Sequence, residues 1–425
     1  MKLIFVNRFF YPDESATSRM VSSLAIALAG EGVRVTALCG TRPDDAAQKP
    51  GRESLRGVEI VRLATSKHTG GLVRRAIGDL GFHLSASFWL LRNLRRGDCC
   101  VICTDPPMLS VSAAPAIALR RATMVNWVFD LFPEVAMELG VIPRSGMVAQ
   151  LSVFLRDLSL RASSLIVCPT EAMARRLARR GHGSDRLAVI RLWSDGSEIV
   201  PVARGDNVLR RDWGYGDELV IGHSGNFGMA HDFTTLLGAA ERLRDTPDVR
   251  FLLIGNGVKR AEAEAFVRDR GLTNVTFEHL QPPEQLSQSM SVADAHVVSL
   301  NPALESCIVP SKFYGVLAAG RPTLFVGDPQ GEVARTAATA DCGVQVDIGD
   351  VDGLVRQFLR LRDDPERRMA MGRRARNLFL SDYTLQRGIT EWRTALGGLP
   401  HASGRNARHD IPREITMTEA SEAEK

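Results

Sequence analysis

The sequence predicts an α/β protein made of two doubly wound parallel-sheet, Rossmann-like domains that face a cleft. Short apolar segments of strand length alternate with segments of helix length along most of the chain. Such alternation is typical of parallel sheets covered by helices on both faces. The alternation runs as two series, separated by the polar stretch 194–217. The length of 425 residues suits two domains of ordinary size.

The first series defines an N-terminal domain, which we assign to residues 1–200. Helices are expected at 18–30, 72–96 and 145–163. The apolar runs between them are too short for helices and are rich in Val, Ile and Leu, so they indicate buried strands. These strands are expected at 3–6, 33–39, 58–63, 99–104, 124–128, 165–168 and 187–190.

The second series defines a C-terminal domain over 201–380, followed by a helix within 381–399 that we expect to pack back on the N-terminal domain. The tail 400–425 is mostly polar, and we expect it to be disordered. Strands are expected at 219–223, 251–254, 275–277, 295–299, 323–326 and 343–346. Helices are expected at 233–243, 261–270, 310–319, 350–363, 365–380 and 383–396.

Bulk composition excludes several classes of protein. An apolar content of 44% and a charged content of 24% are globular values. The formal charge of +4 is too small to indicate a nucleic-acid partner. Seven scattered cysteines without a second Cys/His pair at zinc spacing indicate small buried side chains in a reducing cytoplasm. The N-terminus reads as a first strand rather than a signal peptide, and we expect no transmembrane helix.

The segment 67–121 combines basic and aromatic character. It holds eight Lys or Arg residues against three Asp residues, together with Phe82, Phe88 and Trp89. A basic, aromatic, helix-prone segment of this kind can lie on an anionic membrane surface. The alternative is an ordinary domain helix with an apolar core face and a solvated basic face.

The stretch 305–322 is the most informative part of the chain. It follows an apolar strand and is expected to open a helix with Pro310, Ser311 and Lys312. The free backbone N–H groups and the dipole at such a helix start attract anions, and Lys312 adds a point charge. Glu305 can accept hydrogen bonds from hydroxyls. Together these groups predict a clamp for a sugar joined to a diphosphate.

Two glycine-rich turns follow the first strands of the second series. In the first, Gly225 and Gly228 can let the backbone approach a ligand, while Asn226 and His231 add polar contacts. Tight packing is the alternative. The second turn contains Gly255 and Gly257, but Arg260 occupies the third position of a dinucleotide fingerprint, so an NAD site is disfavoured. A turn that touches a nucleotide and plain turn chemistry remain equally open.

Carboxylates follow two strands of the first series, where parallel strands end at the cleft. Asp130 can orient or deprotonate an acceptor hydroxyl, and capping of the next helix is the alternative. For Asp105, which stands before two prolines, the capping role is favoured. We expect five further side chains on the same acceptor side: Asp13, Glu14, Ser15, Thr17 and Glu134. Capping of the next helix is a second reading for Ser15 and Thr17. No metal-holding motif or Walker loop is recognisable, so we expect a reaction without metal or cofactor, in which the helix start and Lys312 stabilise the leaving group.

Several pieces, in this order, resemble glycosyltransferase family 4, the retaining enzymes of GT-B fold, and in particular the bacterial colanic-acid, O-antigen and exopolysaccharide types. The resemblance covers about residues 1–396. It is carried by Tyr-Pro-Asp-Glu-Ser-Ala-Thr-Ser at 11–18, Thr-Asp-Pro-Pro at 104–107, Trp-Val-Phe-Asp-Leu-Phe-Pro-Glu at 127–134, Ser-Gly-Asn-Phe-Gly-Met-Ala-His at 224–231, Pro-Ser-Lys-Phe-Tyr-Gly at 310–315 and Ala-Ala-Gly-Arg-Pro at 318–322.

The resemblance implies a hexosyltransferase-type enzyme that takes a nucleotide-sugar donor in its second domain, with Tyr314 among the donor-binding residues. It implies a saccharide acceptor, often linked to a polyprenyl diphosphate at the inner membrane, held by the first domain. A cytoplasmic protein, peripheral on the inner face of the plasma membrane through 67–121, is therefore expected. No nucleic-acid partner is expected.

The chain departs from the family pattern at two places. The family commonly has a ribose-binding glutamate where this chain has Gly315, and Glu305 is only an approximate match to its partner glutamate. Asn226 and His231 stand where many members have Arg and Lys at the glycine-rich turn. Gly315 supports one rival, a catalytically degenerate transferase that serves as an assembly partner. The other rival is a nucleotide-sugar 2-epimerase, which can share the same two-domain plan.

Overall fold

The structure is a computed structural model that describes residues 2–13, 15–41, 49–65, 72–194 and 199–399, with the backbone alone described for 72–77. The expected tail 400–425 lies outside the described residues. The two-domain α/β prediction is confirmed, because each half of the chain forms its own sheet flanked by helices.

The N-terminal sheet has the strand order β3-β4-β2-β1-β5-β6-β7-β8 and is parallel except for β3, which pairs with β4 in antiparallel fashion. Its strands are β1 (Leu3–Val6), β2 (Val35–Gly40), β3 (Gly51–Leu55), β4 (Val58–Leu63), β5 (Cys99–Cys103), β6 (Thr123–Trp127), β7 (Leu165–Cys168) and β8 (Leu187–Val189). Its helices are α1 (Ala16–Gly30), α2 (Leu72–Asn93), α3 (Leu109–Leu119), α4 (Glu134–Glu138), α5 (Met147–Arg161) and α6 (Glu171–Arg179).

The C-terminal sheet has the order β11-β10-β9-β12-β13-β14, and all of its pairs are parallel. Its strands are β9 (Leu219–Ser224), β10 (Val249–Ile254), β11 (Val275–Glu278), β12 (Ala295–Ser299), β13 (Thr323–Val326) and β14 (Gly343–Val346). The helices of this half are α7 (Val208–Asp212), α8 (Thr234–Arg242), α9 (Arg260–Asp269), α10 (Leu286–Val292), α11 (Lys312–Ala318), α12 (Glu332–Thr339), α13 (Val351–Asp363), α14 (Pro365–Asp382) and α15 (Leu385–Gly397).

Each sheet has a point where the strand order reverses, between β1 and β5 in the first domain and between β9 and β12 in the second. The carboxyl ends of strands at such a switch point leave a crevice between loops that diverge to opposite faces. The carboxylates after β5 and β6 and the glycine-rich turn after β9 therefore lie at the two positions where this architecture binds ligands.

The last helix returns to the first domain. In α15, Trp392 lies fully buried with its ring centroid 4.6 Å from that of Trp127 in β6. Arg393 forms an ion pair with Glu31 at the end of α1 at 3.5 Å. A single apolar cluster thus contains residues of both domains and of α15, so the C-terminal helix contributes to the N-terminal core.

Sequence reasoning missed the edge strand β3. Its residues are mostly exposed and polar, so they lack the alternation of a half-buried strand. The signal was the turn: Arg56 and Gly57 both have positive φ, of 46° and 86°, as a two-residue hairpin loop requires. A Gly after a short polar segment and before the strong strand β4 was the available sequence cue.

Candidate active site

Two glycine-rich turns pack directly against each other at the carboxyl ends of β9 and β10. A Cβ atom on Gly255 would lie 1.9 Å from the carbonyl oxygen of Gly225, and one on Gly257 would lie 2.4 Å from Oδ1 of Asn226. Both positions have φ near +140° to +150°, a conformation that glycine adopts without steric cost. The lack of a side chain at these two glycines therefore allows the two turns to pack closely, with Asn226 at their contact.

Arg260, the residue that breaks the dinucleotide fingerprint, supports this arrangement. Its guanidinium donates to the carbonyl oxygens of Gly255 and Glu278, the latter at 3.0 Å, and forms an ion pair with Glu264 at 2.7 Å. The arginine therefore fills the space beside the turn with a structural network. This explains the lack of the third glycine.

Lys312, at the start of α11, reaches the first of these turns. Its Nζ lies 3.3 Å from the carbonyl oxygen of Asn226 and 3.3 Å from Nε2 of His223. Nδ1 of His223 lies 3.2 Å from the carbonyl oxygen of Val297, which leaves Nε2 as the acceptor for the ammonium. Burial lowers the pKa of Lys312 to about 7. The ammonium is therefore near its neutralisation point at physiological pH, and an anion at this turn would restore its charge.

His231 is held at the far end of the same turn. Its Nδ1 lies 2.5 Å from the carbonyl oxygen of Ser299, and its own carbonyl accepts from Lys259 at 2.8 Å. Burial, followed by the charge of Lys312, lowers the pKa of His231 to about 3, so the ring is neutral at physiological pH. The side chain of Asn226 lies over Gly228, whose added Cβ would be 3.2 Å from Nδ2. These predicted donor-side residues lie together.

The helix after the predicted clamp begins later than expected. The sequence predicts a helix at 310–319 that opens with Pro310, whereas α11 begins at Lys312 and has seven residues. Ser311 precedes it in a helical conformation without a side-chain cap, and Pro310 is placed before the helix, with its carbonyl accepting from the backbone of Phe313 at 3.0 Å. The positive charge at this point comes from Lys312 itself more than from a long helix dipole.

Glu305, predicted to be catalytic, and Tyr314, predicted to bind the donor, have different surroundings. Oε1 of Glu305 accepts from the backbone N–H of Glu332 at 2.6 Å, at the start of α12, and burial raises the pKa of Glu305 to about 7. Tyr314 is buried, with its ring centroid 5.0 Å from that of Tyr383. Glu305 therefore caps a helix, and Tyr314 belongs to the core.

Gly315, where the family pattern has a second glutamate, faces an apolar wall. A Cβ atom there would meet Met290 and Ile199 at 3.6 and 3.8 Å. These are ordinary van der Waals distances, so the first carbon of a side chain at this position would lie beside apolar neighbours.

The acceptor-side carboxylates gather at the switch point of the first domain. The hydroxyl of Thr104 accepts from the backbone N–H groups of Phe129 and Asp130 at 3.1 and 3.2 Å, which joins the ends of β5 and β6. Burial raises the pKa values of Asp105 and Asp130 to about 6, and for Asp105 the charges of Asp130 and Asp13 add to the shift. Thr17 donates a hydrogen bond to Asp105.

The loop before α1 has two roles: part of it caps α1, and part of it contacts the carboxylate cluster. Ser15 is the N-cap of α1 and accepts from the backbone of Ser18 at 3.4 Å, while its own N–H donates to Asp13 at 2.9 Å. Glu14 lies outside the described residues. The backbone N–H of Arg8 donates to the carbonyl oxygen of Asp105 at 2.7 Å, so this loop and the loop after β5 are tied together.

Glu134 has a structural partner that its sequence position did not reveal. It is buried and accepts two hydrogen bonds from Arg156, at 2.7 and 3.0 Å. Arg156 in turn pairs with Asp157, which also holds Arg180 at 2.6 Å. Such a bidentate, buried pair anchors α4 to α5, so the structure places Glu134 in an ion-pair network.

One backbone contact joins the two halves of the site. The N–H of Leu131 donates to the carbonyl oxygen of Cys307 at 2.7 Å. Leu131 follows Asp130, and Cys307 precedes the segment that leads into α11. The acceptor-side carboxylates and the Lys312 turn are thereby connected across the interdomain boundary. Among the described residues, no group of three His, Cys, Asp or Glu side chains is arranged to hold a metal ion.

Two family models match the chain. One, described as a glycosyl transferase 4-like domain, matches residues 15–193. The other, described as glycosyl transferases group 1, matches residues 208–378. The two matches meet near the sequence boundary at 194–217 and together cover both domains.

Curated relatives carry related names. The chain is 25% identical over 280 residues to an Escherichia coli K12 protein named as a colanic acid biosynthesis glycosyl transferase, WcaI, covering 64% of this chain and 69% of that protein. It is 22% identical over 267 residues to a Pseudomonas aeruginosa protein named as glycosyltransferase WbjE, covering 62% of this chain and 66% of that one, slightly under two thirds of its length.

Solved structures share the fold. Sucrose-phosphate synthase from Thermosynechococcus elongatus superposes with a TM-score of 0.72 at 16% identity, covering 93% of this chain and 98% of that one. Anabaena HepE in complex with UDP gives 0.70 at 14% identity, covering 94% and 100%. WaaG, a glycosyltransferase involved in lipopolysaccharide biosynthesis, gives 0.66 at 15% identity, covering 92% and 98%. At these identities the likeness establishes the GT-B fold.

Proposed function

Because the chain belongs to the family 4 glycosyltransferases, and is an enzyme of that hexosyltransferase type, we propose that it transfers a sugar from a nucleotide-diphosphate donor to a saccharide acceptor in surface polysaccharide biosynthesis. The acceptor that we propose is linked to a polyprenyl diphosphate. The observation that carries the proposal is the position of Lys312, whose ammonium lies against the carbonyl of Asn226 and the turn at Gly225. The UDP bound to HepE supports a nucleotide diphosphate as the donor class.

In the proposed reaction the donor diphosphate lies at the turn 225–228, facing Lys312. As the bond between the sugar and the phosphate oxygen breaks, negative charge grows on that oxygen, and the ammonium of Lys312 stabilises it. The acceptor hydroxyl attacks the anomeric carbon from the same face, and its proton passes to the departing phosphate oxygen. Asp130 orients the acceptor hydroxyl. The configuration is retained, and no metal takes part.

We also propose that the protein works at the inner face of the plasma membrane. Helix α2 has two apolar faces: Phe82, Ala86 and Leu90 are buried in the domain, whereas Leu80, Leu84, Phe88 and Leu91 point outward. The outward side chains are spaced as one stripe of a helix. Arg92, Arg95 and Arg96 follow at its end. An exposed apolar stripe beside cations supports binding to anionic lipids.

Part of the segment 67–121 lies outside the described residues. Lys67 lies outside the described residues, and the side chains of Arg74 and Arg75 are not described either. Among the helices that the structure describes, none has the length and hydropathy to cross a bilayer.

A nucleotide-sugar panel tests the proposed function. UDP-, GDP- and dTDP-sugars are added separately to the protein, and thermal unfolding is followed, because a ligand that binds only the folded state raises the melting temperature. One class is expected to raise it, and Lys312→Ala is expected to abolish the shift. Free nucleotide diphosphate is then expected only when a lipid-linked acceptor is present. An equal release without acceptor, or interconversion of the free donor sugar, would favour hydrolysis or the epimerase instead.

A further inference from the structure

An arginine-lined cavity of about 490 Å³ lies outside the proposed donor turn, on the flank of the interdomain boundary. Helix α6 presents two faces there. Met173, Ala174 and Leu177 are buried in the core, while the opposite face bears arginines at intervals of one and three residues. The cavity is lined by Glu134, Ala172, Arg175, Arg176, Arg179, Arg180 and Ser306. Ser306 belongs to the second domain, so the arginines face a concave space between the domains.

The positive charge in this cavity is only partly balanced. Arg180 pairs with Asp157 at 2.6 Å, and Arg176 donates to Oγ of Ser306 at 2.8 Å. The carboxylate of Glu134 is already paired with Arg156. Within the described ranges, neither Arg175 nor Arg179 has an ion-pair partner. Because like charges four residues apart on a helix repel each other, the cavity is suited to a ligand with more than one negative charge.

A second cavity of about 540 Å³ adjoins the first. The two share Glu134, Arg176 and Arg180 as wall residues. The second is lined on one side by hydrocarbon from α4 and α5, namely Met137, Ala149, Val153 and Phe154, and elsewhere by polar and charged side chains, among them Arg144, Gln150, Asp157 and Arg161. An arginine-rich chamber joined to a groove with one hydrocarbon wall matches an amphiphile with an anionic head and a hydrocarbon chain.

The groove opens on an exposed apolar surface of α5. Met147, Leu151, Phe154 and Leu158 are all more than half exposed, and their spacing of four, three and four residues places them on one stripe. Helix α5 packs against α3, and α3 packs against α2, so this stripe lies on the same side of the sheet as the outward stripe of α2. A hydrocarbon chain that leaves the groove would meet the face that we propose for the membrane.

The cavity is also close to the proposed reaction centre. Ser306 precedes Cys307, whose carbonyl accepts from Leu131, and Leu131 follows Asp130. With about 3.8 Å between consecutive Cα atoms, the backbone of Ser306 lies on the order of 10 Å from that of Asp130. A sugar attached to a head group in the cavity can therefore extend toward that carboxylate.

Building on the proposed function, we infer that this pair of cavities binds the prenyl diphosphate of the acceptor: the diphosphate in the arginine chamber and the first isoprene units in the groove. Arginine suits this role because its planar guanidinium donates two parallel hydrogen bonds to a phosphate. Arg175 and Arg179 are the arginines that we expect to bind the diphosphate, because they carry the unbalanced positive charge of the chamber. The site is separate from the donor turn at Gly225 and Lys312.

Binding of farnesyl diphosphate to the full chain tests the inference, with inorganic diphosphate and farnesol as the head and tail alone. Farnesyl diphosphate is expected to bind more tightly than either part, and saturating UDP is not expected to displace it. Arg175→Ser with Arg179→Ser is expected to weaken its binding about tenfold or more, since two charge-assisted contacts are lost. Phe154→Ser is expected to reduce only the advantage of farnesyl diphosphate over diphosphate.

The matched control is Arg242→Ser with Arg268→Ser, two similarly exposed arginines of the second domain, which is expected to bind as the wild type. Competitive displacement by UDP, or unchanged binding by the α6 double variant, would overturn the inference. If that variant loses binding to phosphatidylglycerol vesicles but retains farnesyl diphosphate, the arginines serve a phospholipid surface and the inference is wrong. If UDP binds and farnesyl diphosphate does not, the inference fails while the transferase function stands.

Discussion

Lys312 connects protonation to donor binding at the scale of single residues. Its pKa of about 7 lies well below the ordinary value of 10.5 because burial disfavours the charged form. A diphosphate favours the ammonium, so binding above pH 7 requires uptake of a proton. We therefore expect the affinity for the nucleotide sugar to fall by up to about tenfold per pH unit above pH 7, and to level off below it.

Calorimetric titration between pH 6 and pH 9 measures this dependence. Lys312→Arg is the matched variant, because a guanidinium stays charged throughout this range, and its titration curve is expected to be flat. Lys312→Ala should cost about 2–4 kcal/mol of transition-state stabilisation, as for other groups that stabilise a developing oxyanion. A wild-type affinity that does not change with pH would contradict the role of this ammonium.

The ionised carboxylate of Asp130 is expected to lower the stability of the folded protein, although we propose that it orients the acceptor. Its pKa is raised by burial from 3.8 to about 6, so the folded state holds the proton more tightly than the unfolded state. Such a group favours folding below about pH 4, and that contribution disappears as the pH rises through 6. At pH 7.5 the ionised carboxylate therefore opposes folding.

Asp130→Asn removes this charge with little change of shape. We expect a gain of about 1 kcal/mol in unfolding free energy at pH 7.5, a smaller gain at pH 5, and a loss of transfer activity. Asp217→Asn, at a fully exposed carboxylate, is the control and should change neither quantity. Denaturant unfolding at both pH values decides the matter, and a less stable Asp130→Asn protein at pH 7.5 would refute the argument.

The packed pair of turns makes a prediction at the scale of elements. Gly255→Ala would place a Cβ atom 1.9 Å from a backbone oxygen at Gly225, where no side chain can yield. We expect a loss of about 2–3 kcal/mol in unfolding free energy together with weaker donor binding, because the turn facing Lys312 must move.

Gly271→Ala provides the comparison for that variant. Gly271 also has a positive φ, of 60°, but an added Cβ there meets nothing within 4 Å. It should therefore cost only about 1 kcal/mol and leave donor binding unchanged. Denaturant unfolding and nucleotide-sugar titration of both variants measure these effects. Equal effects of the two substitutions would show that the contact between the turns is unimportant.

Sequence reasoning located most elements correctly, since buried parallel strands read as short apolar runs. It failed where the signal was not hydrophobic, as in β3, and where a boundary depends on local backbone geometry. Pro310 is a common first residue of a helix, yet α11 begins at Lys312. The prediction that an anion is held at this point now depends on the side chain of Lys312 and on the neighbouring turn.

Residue roles that depend on long-range partners were the least predictable from sequence. Glu134 follows the strand end as a cleft carboxylate would, but Arg156, 22 residues further along the chain, binds it. Tyr314 is next to the right motif, but the helix turns it toward Tyr383 in the core. By contrast, Asn226, His231 and Lys312 lie around one turn, as expected for loops that follow strands at a switch point, and their role in donor binding stays a prediction.

At the scale of the whole molecule, the outward stripe of α2 predicts membrane binding. Leu84→Ser with Phe88→Ser removes two side chains that are 64% and 57% exposed, so the fold should be kept. Each substitution removes on the order of 1–2 kcal/mol of favourable free energy for transfer of an apolar side chain into the membrane. Binding to phosphatidylglycerol vesicles should therefore weaken about tenfold or more. Vesicle co-sedimentation measures this.

The control for vesicle binding is Met369→Ser with Leu380→Ser, which removes two apolar side chains of similar exposure on α14 of the second domain. That variant is expected to bind vesicles as the wild type does. If both double variants lose binding equally, the attachment is a general hydrophobic effect and α2 has no special role. If neither loses it, the stripe does not face the membrane.

The position of the donor diphosphate is the claim on which the other functional proposals rest. A crystal structure with bound UDP tests it most directly. We predict a phosphate oxygen about 2.8 Å from Nζ of Lys312, with the diphosphate lying along the turn 225–228. A complex in which both phosphates bind elsewhere, while Nζ keeps its contacts to Asn226 and His223 unchanged, would contradict the account.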